Sequence, residues 1–356
     1  MQKAGYLTFN DGTTYVGQCW GVSRAVVGEL VFSTNMVGYP EMVTDPSFAG
    51  QILVCTLPHI GNYGMEGVCQ STRPWIAGLI LGAELPLGAD LSLLEYLAQW
   101  DIPVLMGVDT RALVLKMRQE GVGLVRLGAE ALSAQVEEQA AYRQQMQHIW
   151  QTVTTVAPYQ VGCGMKRIVV IDFGCKKNII QAFVDRNCVV SVLPCGASVD
   201  QIWAAQPDAV VFSNGPGDPQ VAQALWEPYR VLLGQVPILG ICLGFQILGL
   251  MLGFSLQKLK FGHRGSNHPV YDLMLQKGIL TAQNHGYGLV GESPAGVQVT
   301  HQHWHDQSIA GIVHTGYSVM GVQFHPEAGP GPLEGAYILD TFLALVPNKE
   351  QVRVCL

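Results

Sequence analysis

The chain has 356 residues, of which 49% are hydrophobic and only 13% charged, with a formal net charge of −7. That length exceeds one typical domain, so two are expected, and the absence of any basic run argues against a nucleic-acid partner. The N-terminus shows no apolar leader with a cleavage site and no later apolar run reaches membrane-spanning length, so a cytoplasmic protein with no membrane contact is expected. Charge this sparse suggests that some surface is covered by a partner. The nine cysteines, at 19, 55, 69, 163, 175, 188, 195, 242 and 355, are odd in number, dispersed and without Cys-x-x-Cys spacing. They fit reduced thiols better than a disulfide frame or zinc knuckle.

Residues 1 to about 55 read as short strands: Tyr6 to Phe9, a hairpin signal at Asp11-Gly12, Thr14 to Gly17 and Gly28 to Ser33. A loop punctuated by glycine and proline runs from Val37 to Phe48, followed by an apolar strand at 52–57 and the loop Pro58 to Gly64. Ser92 to Gln99 has helical spacing, and a second helix begins at Asp109, its predicted cap. The Gln-rich stretch 129–150 predicts a surface helix leading into a linker at 151–165. Beyond it, strands at 167–173, 188–194 and 209–213 alternate with helices at 177–186, 199–205 and 221–233. Such alternation predicts a parallel, doubly wound sheet. A β-rich stretch at 256–322 and a helix at 336–345 complete this half. The expected fold is therefore α/β: a smaller β-rich α/β domain at 1–150, the linker, a mostly parallel doubly wound domain at 166–349, and a tail at 350–356.

The stretch 236–252 organises the second half. An apolar strand ends at Gly240, Cys242 follows, and Leu243, Ile247, Leu248 and Met251 recur at helical spacing. Gly240 and Gly244 make this Gly-x-Cys-x-Gly, the thiol counterpart of a nucleophile elbow, where a β-carbon at either glycine would collide with its neighbours. A helix N-terminus there favours thiolate. Taken alone, the cysteine is equally well read as inert core packing. The loop Ser213-Asn-Gly-Pro-Gly-Asp-Pro should emerge at the same carboxyl edge of the sheet, its glycines leaving bare N–H groups of the kind an oxyanion requires, although by itself it reads as a tight turn. In Val322-Gln-Phe-His-Pro-Glu, His325 and Glu327 are two apart, so on an extended segment the carboxylate can orient an imidazole that serves a thiol. Alone that motif could be a surface turn; with the elbow and glycine loop it points to nucleophilic thiol catalysis.

These motifs resemble the class I, triad-type glutamine amidotransferases. More narrowly, the chain is similar to the family of small, glutamine-hydrolysing subunits of carbamoyl phosphate synthetase. The likeness extends to Thr44-Asp-Pro-Ser, Pro58-His-Ile-Gly-Asn-Tyr-Gly and Gly107-Val-Asp-Thr-Arg in the first half. In the second it extends to Asp172-Phe-Gly-x-Lys, Asn267-His-Pro-Val and Thr281-Ala-Gln-Asn-His-Gly-Tyr. The resemblance implies Cys242 as nucleophile, His325 as general base and acid, and Glu327 as its orienting partner. It implies an oxyanion held by the N–H groups of Leu243 and Gly215, and L-glutamine gripped by Ser47, Gly217, Gln246, Asn284, Gly286 and Tyr287. It also implies a large synthetase subunit as heterodimer partner, with any higher assembly left open. That subunit would bind ATP, magnesium and bicarbonate, and no cofactor is expected in this chain.

The chain departs from the family's pattern at Phe245, where histidine is usual, at Gly329, at the altered stretch 64–67 and at the shortened stretch 82–90. Phe245 leaves a second reading, a catalytically weakened regulatory or scaffolding subunit. A third is a stand-alone γ-glutamyl thiol hydrolase. The tract His301-Gln-His-Trp-His-Asp carries alternating histidines on one strand face, but no second ligand cluster accompanies it in sequence, and no metal is expected. His263, His268 and His285 read as structural neighbours of the substrate loops. Asp172-Phe-Gly echoes a kinase motif without the other kinase elements and reads as the end of a strand.

Overall fold

The computed structural model describes residues 3–21, 24–65, 69–83 and 91–347. The tail at 350–356, with Cys355, lies outside these residues, as do parts of the altered stretches at 64–67 and 82–90.

The first seven strands are β1 Lys3–Phe9, β2 Thr14–Trp20, β3 Val26–Ser33, β4 Gln51–Cys55, β5 Gly78–Leu81, β6 Val104–Met106 and β7 Leu124–Gly128. They close into a barrel in the order β1-β2-β6-β5-β4-β3-β7. The hairpin forms at the predicted place, with the Thr13 N–H donating to Asp11 Oδ1 at 2.8 Å. Side chains alternate along the strands as the two-residue period requires. Leu30, Ile52, Val54 and Ile80 cluster with Leu113 and Met117 of the helix Thr110–Glu120. Val31, Leu53, Leu79 and Leu81 pack on the other side, under Leu93, Leu94 and Leu97 of the helix Ser92–Gln99. Asp109 caps its helix by accepting from the Ala112 N–H at 2.9 Å. The sequence signalled strands here but not closure, because a strand as short as β6 carries no period of its own.

The second sheet contains β8 Tyr159–Val161, β9 Lys166–Asp172, β10 Cys188–Pro194, β11 Ala209–Phe212, β12 Ile238–Ile241, β13 Ser255–Asp272, β14 Lys277–Val290, β15 Val297–His303, β16 Ile309–His314 and β17 Val319–Val322. Its order is β14-β13-β15-β16-β17-β12-β11-β9-β10-β8. Only the run β10-β9-β11-β12-β17 is parallel; the strands on either side are antiparallel, so the sheet is mixed rather than mostly parallel. The difference arises at 256–314, where long hairpin strands extend the edge without crossover helices. Within the parallel run both faces are covered, which explains why the strands read as continuous apolar runs. Val169, Ile171, Val210 and Phe212 face one core, and Ile168, Val170, Val211 and Leu239 the other. The helix expected at 221–233 is a short helix, Gln223–Trp226, followed by a 3-10 turn, Glu227–Leu232, with Pro228 at the junction.

The Gln-rich stretch behaves as predicted only in part. The helix Val136–Gln147 buries no residue, but the next, Ile149–Val153, drives Trp150 into the second domain's core. Trp150 is 2% exposed, packs edge-on to Phe173 and donates from Nε1 to Pro216 O at 2.7 Å. Within 151–165, β8 pairs with β10 at the sheet's edge.

The elbow lies between β12 and the helix Leu243–Leu252. A β-carbon on Gly240 would come within 2.5 Å of Gly244 O, and one on Gly244 within 2.0 Å of Phe212 O. Both glycines are thus required by close backbone approach. Gly244→Ala is expected to lower stability by ~1–3 kcal/mol through forced backbone displacement, read as a lower urea midpoint with unchanged slope.

Candidate active site

Cys242 occupies the strained turn with φ 55° and ψ −101°, a conformation uncommon for any residue but glycine. Its N–H donates to Val322 O on the neighbouring strand at 2.9 Å, which fixes the turn against β17. Cys242 is only 2% exposed, yet it lines a cavity. Sγ lies 3.5 Å from Asn284 O and accepts from Gln323 Nε2 at 3.7 Å.

His325 follows β17 and is anchored by its N–H to Ala282 O at 2.9 Å. The segment bends immediately after it, with Ala328 at φ 54°, so a turn rather than an extended strand brings the carboxylate back to the ring. His325 Nδ1 and Glu327 Oε1 are 2.7 Å apart. The opposite nitrogen, Nε2, has no well-formed hydrogen bond, although the ring interacts with the Cys242 thiol. The thiol instead points at the Asn284 carbonyl, an alignment that in unliganded active sites commonly tightens when substrate binds.

A third group completes the pair. Lys176, at the start of the helix Lys177–Val184, reaches Glu327 Oε1 with Nζ at 2.9 Å, and both side chains are almost wholly buried. Burial opposes a charge on His325, but the Glu327 carboxylate outweighs it and the ring's pKa rises from 6.5 to about 10. Burial also opposes the charge on Glu327, and there Lys176 and His325 prevail, lowering its pKa to about 2.

The glycine loop stands across from the thiol. A β-carbon on Gly215 would approach Phe173 O to 2.2 Å and Leu243 Cδ2 to 2.8 Å, and Gly217 has φ +85°. Asn214 ties the loop to both sides: its Oδ1 accepts from the Lys176 N–H at 2.9 Å, and its Nδ2 donates to Ser47 Oγ at 2.8 Å. Ser47 belongs to the first domain, held by its N–H on Asp45 Oδ1 at 2.8 Å, and Asp45 Oδ2 accepts from Asn284 Nδ2 at 3.3 Å.

Between these walls lies a cavity of about 510 Å³. Ser47, Gly215, Gly217, Cys242, Leu243, Gln246, Asn284, Gly286 and Tyr287 all line it, so the thiol and every residue expected to contact substrate converge on one space. His325 lies behind the sulfur, in the wall of a crevice of about 30 Å³ shared with Asp45, Lys176 and Asn284. Gln246 is held by its Nε2 on Tyr287 O at 3.0 Å and on Gln323 Oε1 at 3.1 Å. The charged residues Glu29, Arg143, Asp218, Lys258 and Arg264 also reach the cavity, and Lys258 bridges to Glu29 of the first domain at 2.5 Å.

Comparison with known proteins fits this geometry. Residues 7–127 match the family Carbamoyl-phosphate synthase small chain, CPSase domain, and residues 169–345 match Glutamine amidotransferase class-I. A carbamoyl phosphate synthase small chain of Symbiobacterium thermophilum is 43% identical, covering 94% of this chain and 97% of that protein. The chain belongs to the carbamoyl phosphate synthase small chain family. Another small chain, from Listeria monocytogenes, is 38% identical over 97% of both chains. An arginine-specific small chain from Bacillus subtilis is 39% identical, covering 98% of this chain and 99% of that one.

Sequence reasoning missed three residues of this small-chain site. Lys176 stood inside a recognised motif without a role, Asn214 was read only as part of a turn, and Gln323 was passed over. Phe245, the departure from the family's pattern, is fully buried against Phe254, Leu289 and Ile312, and packs rather than faces the cavity.

The ionisation of the pair sets a pH dependence of stability. A pKa raised from 6.5 to about 10 at His325 contributes stability that is complete below 6.5 and lost as pH rises through 10. Glu327, lowered from 4.5 to about 2, contributes stability that is present above 4.5 and lost as pH falls toward 2. The difference in urea midpoint between the wild type and His325→Gln should therefore shrink steadily from pH 7 to pH 10; a constant difference contradicts the assigned ion pair.

Proposed function

We propose that this chain hydrolyses L-glutamine through a Cys242 thioester and supplies the ammonia to a large synthetase subunit that makes carbamoyl phosphate. One observation carries the reading: an imidazole oriented by a buried carboxylate stands behind a strained elbow thiol, at the wall of a cavity shared by both domains. In this reading the Cys242 proton passes to His325 Nε2 and Sγ attacks the side-chain amide carbon as the thiolate. The Leu243 and Gly215 N–H groups receive the oxyanion, and His325 passes its Nε2 proton to the departing amine. Ammonia leaves and a γ-glutamyl thioester remains. His325 then takes a proton from water, whose oxygen attacks the thioester carbonyl, and the collapse returns the sulfur and releases glutamate. Ser47, Gly217, Gln246, Asn284, Gly286 and Tyr287 would hold the substrate, and Glu327, itself held by Lys176, orients the base.

The partner follows from family membership: a small chain implies a large subunit, which would carry ATP, magnesium and bicarbonate, with no cofactor in this chain. A heterodimer in the cytoplasm is the simplest assembly, and among the described residues no helix is long and apolar enough to cross a membrane. The two sequence blocks 1–150 and 166–349 are taken as the two domains, joined at 151–165. The name of the Bacillus subtilis relative points to arginine biosynthesis; pyrimidine biosynthesis consumes the same product.

In the assembled complex, Cys242→Ser should lower glutamine-dependent carbamoyl phosphate synthesis at least roughly 1,000-fold while leaving ammonia-dependent synthesis intact. Equal rates with glutamine in wild type and mutant would overturn the assignment. The scaffolding reading, prompted by Phe245, predicts no glutamyl adduct: incubating wild type with glutamine, quenching in acid and weighing the intact chain should instead reveal the thioester, and its absence would favour that alternative.

A further inference from the structure

The tract His301-Gln-His-Trp-His-Asp lacks a second ligand cluster in sequence, but the fold supplies one from a strand forty residues earlier in the chain. His303 ends β15, Asp306 sits in the turn that follows, and His263 comes across from β13. His263 Nε2 lies 2.9 Å from Asp306 Oδ2, and His303 Nδ1 lies 3.1 Å from Asp306 Oδ1. All three residues offer ligand atoms within 4.8 Å of one another.

The far side of each ring is committed elsewhere. His263 Nδ1 faces His285 Nε2 at 3.3 Å, and His303 Nε2 faces His268 Nδ1 at 3.2 Å. His285 Nδ1 is 2.7 Å from the Tyr287 carbonyl and its Nε2 is 2.9 Å from Gln283 Oε1, while Gln283 Nε2 donates to Thr281 Oγ1 at 3.1 Å, so His285 is held firmly behind the His263 ring. His303 shows a deficit directly. Its Nδ1 is buried without a well-formed hydrogen bond even though a carboxylate oxygen is 3.1 Å away.

An unpaired, buried imidazole nitrogen 3.1 Å from a carboxylate oxygen that already accepts from the Ser308 N–H and hydroxyl marks a place for positive charge. Two extra protons would create a pair of cations in rings stacked 4.0 Å apart and nearly parallel, at 8°. A single divalent ion supplies the same charge and leaves both rings neutral. The outer histidines then take the place that carboxylates or carbonyls usually occupy behind metal-bound imidazoles. We propose that His263, His303 and Asp306 bind one divalent transition-metal ion of the zinc class, whose preference is for imidazole nitrogen with carboxylate oxygen. Binding splays the stacked rings so that both present their nitrogens in plane. Asp306 is exposed, which gives the ion its entry, and the neighbouring His305 is exposed and free to turn inward as a further ligand, with water as the alternative.

The test uses the full chain in a Cys242→Ala background, so that the active-site thiol cannot hold metal. Equilibrium dialysis against zinc should give one ion per chain. With cobalt, the ligand-field bands should appear without thiolate-to-metal charge transfer. Asp306→Asn and His303→Gln should each weaken binding at least ~100-fold, and His268→Ala roughly 10–100-fold through loss of the outer hydrogen bond. Should Asp306→Asn not fold, His303→Gln decides the matter. No stoichiometric uptake, a thiolate band, or unchanged affinity in the folded variants would each overturn the site.

Discussion

The structure depends on a buried line of alternating charge: Lys176, Glu327 and the His325 ring, joined by contacts of 2.9 and 2.7 Å with almost no exposure to water. The members come from two parts of the sheet's carboxyl edge, Lys176 after β9 and the other two after β17. Burying one of these groups alone would cost several kcal/mol, so each is tolerable only because the others are present. The consequence is positional. Lys176 cannot lose its place without stranding Glu327, and Glu327 cannot move without releasing the ring that faces the thiol. The chemistry of the site and the docking of the 323–328 turn onto the sheet are thus maintained by the same contacts.

The two domains meet through the site rather than beside it. Asp45 and Ser47 of the barrel domain bond Asn214 and Asn284 of the other, and Trp150, in the helix Ile149–Val153, pins the glycine loop. None of these bonds is strong alone, at roughly 1 kcal/mol each for neutral partners. They are buried, however, and share partners, so displacing the barrel domain leaves several polar groups unsatisfied together. This explains how a β-barrel that contributes neither the elbow cysteine nor the buried imidazole and carboxylate still forms one wall of the cavity.

Much of the site was legible from residue order. The elbow could be read because Gly240 and Gly244 answer local steric demands, and local demands leave a local pattern. The pairing of His325 with Glu327 was legible for the same reason, although the backbone achieves it by a turn. Closure of the barrel was not legible, since it depends on the pairing of β1 with β7 at opposite ends of a long segment. Neither was Trp150, which ends a largely polar stretch and whose burial is decided by a loop sixty-six residues away. Lys176 escaped for a related reason: a lysine following a strand is ordinarily solvated, and only Glu327 in place shows that it is not. The parallel run was predicted from alternation, whereas the antiparallel extension through β13 and β14 follows from hairpins that the β-rich reading did not resolve into an order.

Asn284 connects these themes. Its side chain meets Asp45 of the first domain, while its carbonyl lies 3.5 Å from the Cys242 sulfur and receives the thiol. While that contact holds, the thiol is aimed at the Asn284 carbonyl rather than at His325 Nε2. A glutamine side chain entering the cavity competes for the space beside β14, and Asn284 can yield only as far as its bond to Asp45 permits. The orientation of the Cys242 thiol is therefore tied to the barrel domain through a single residue whose two ends serve different domains.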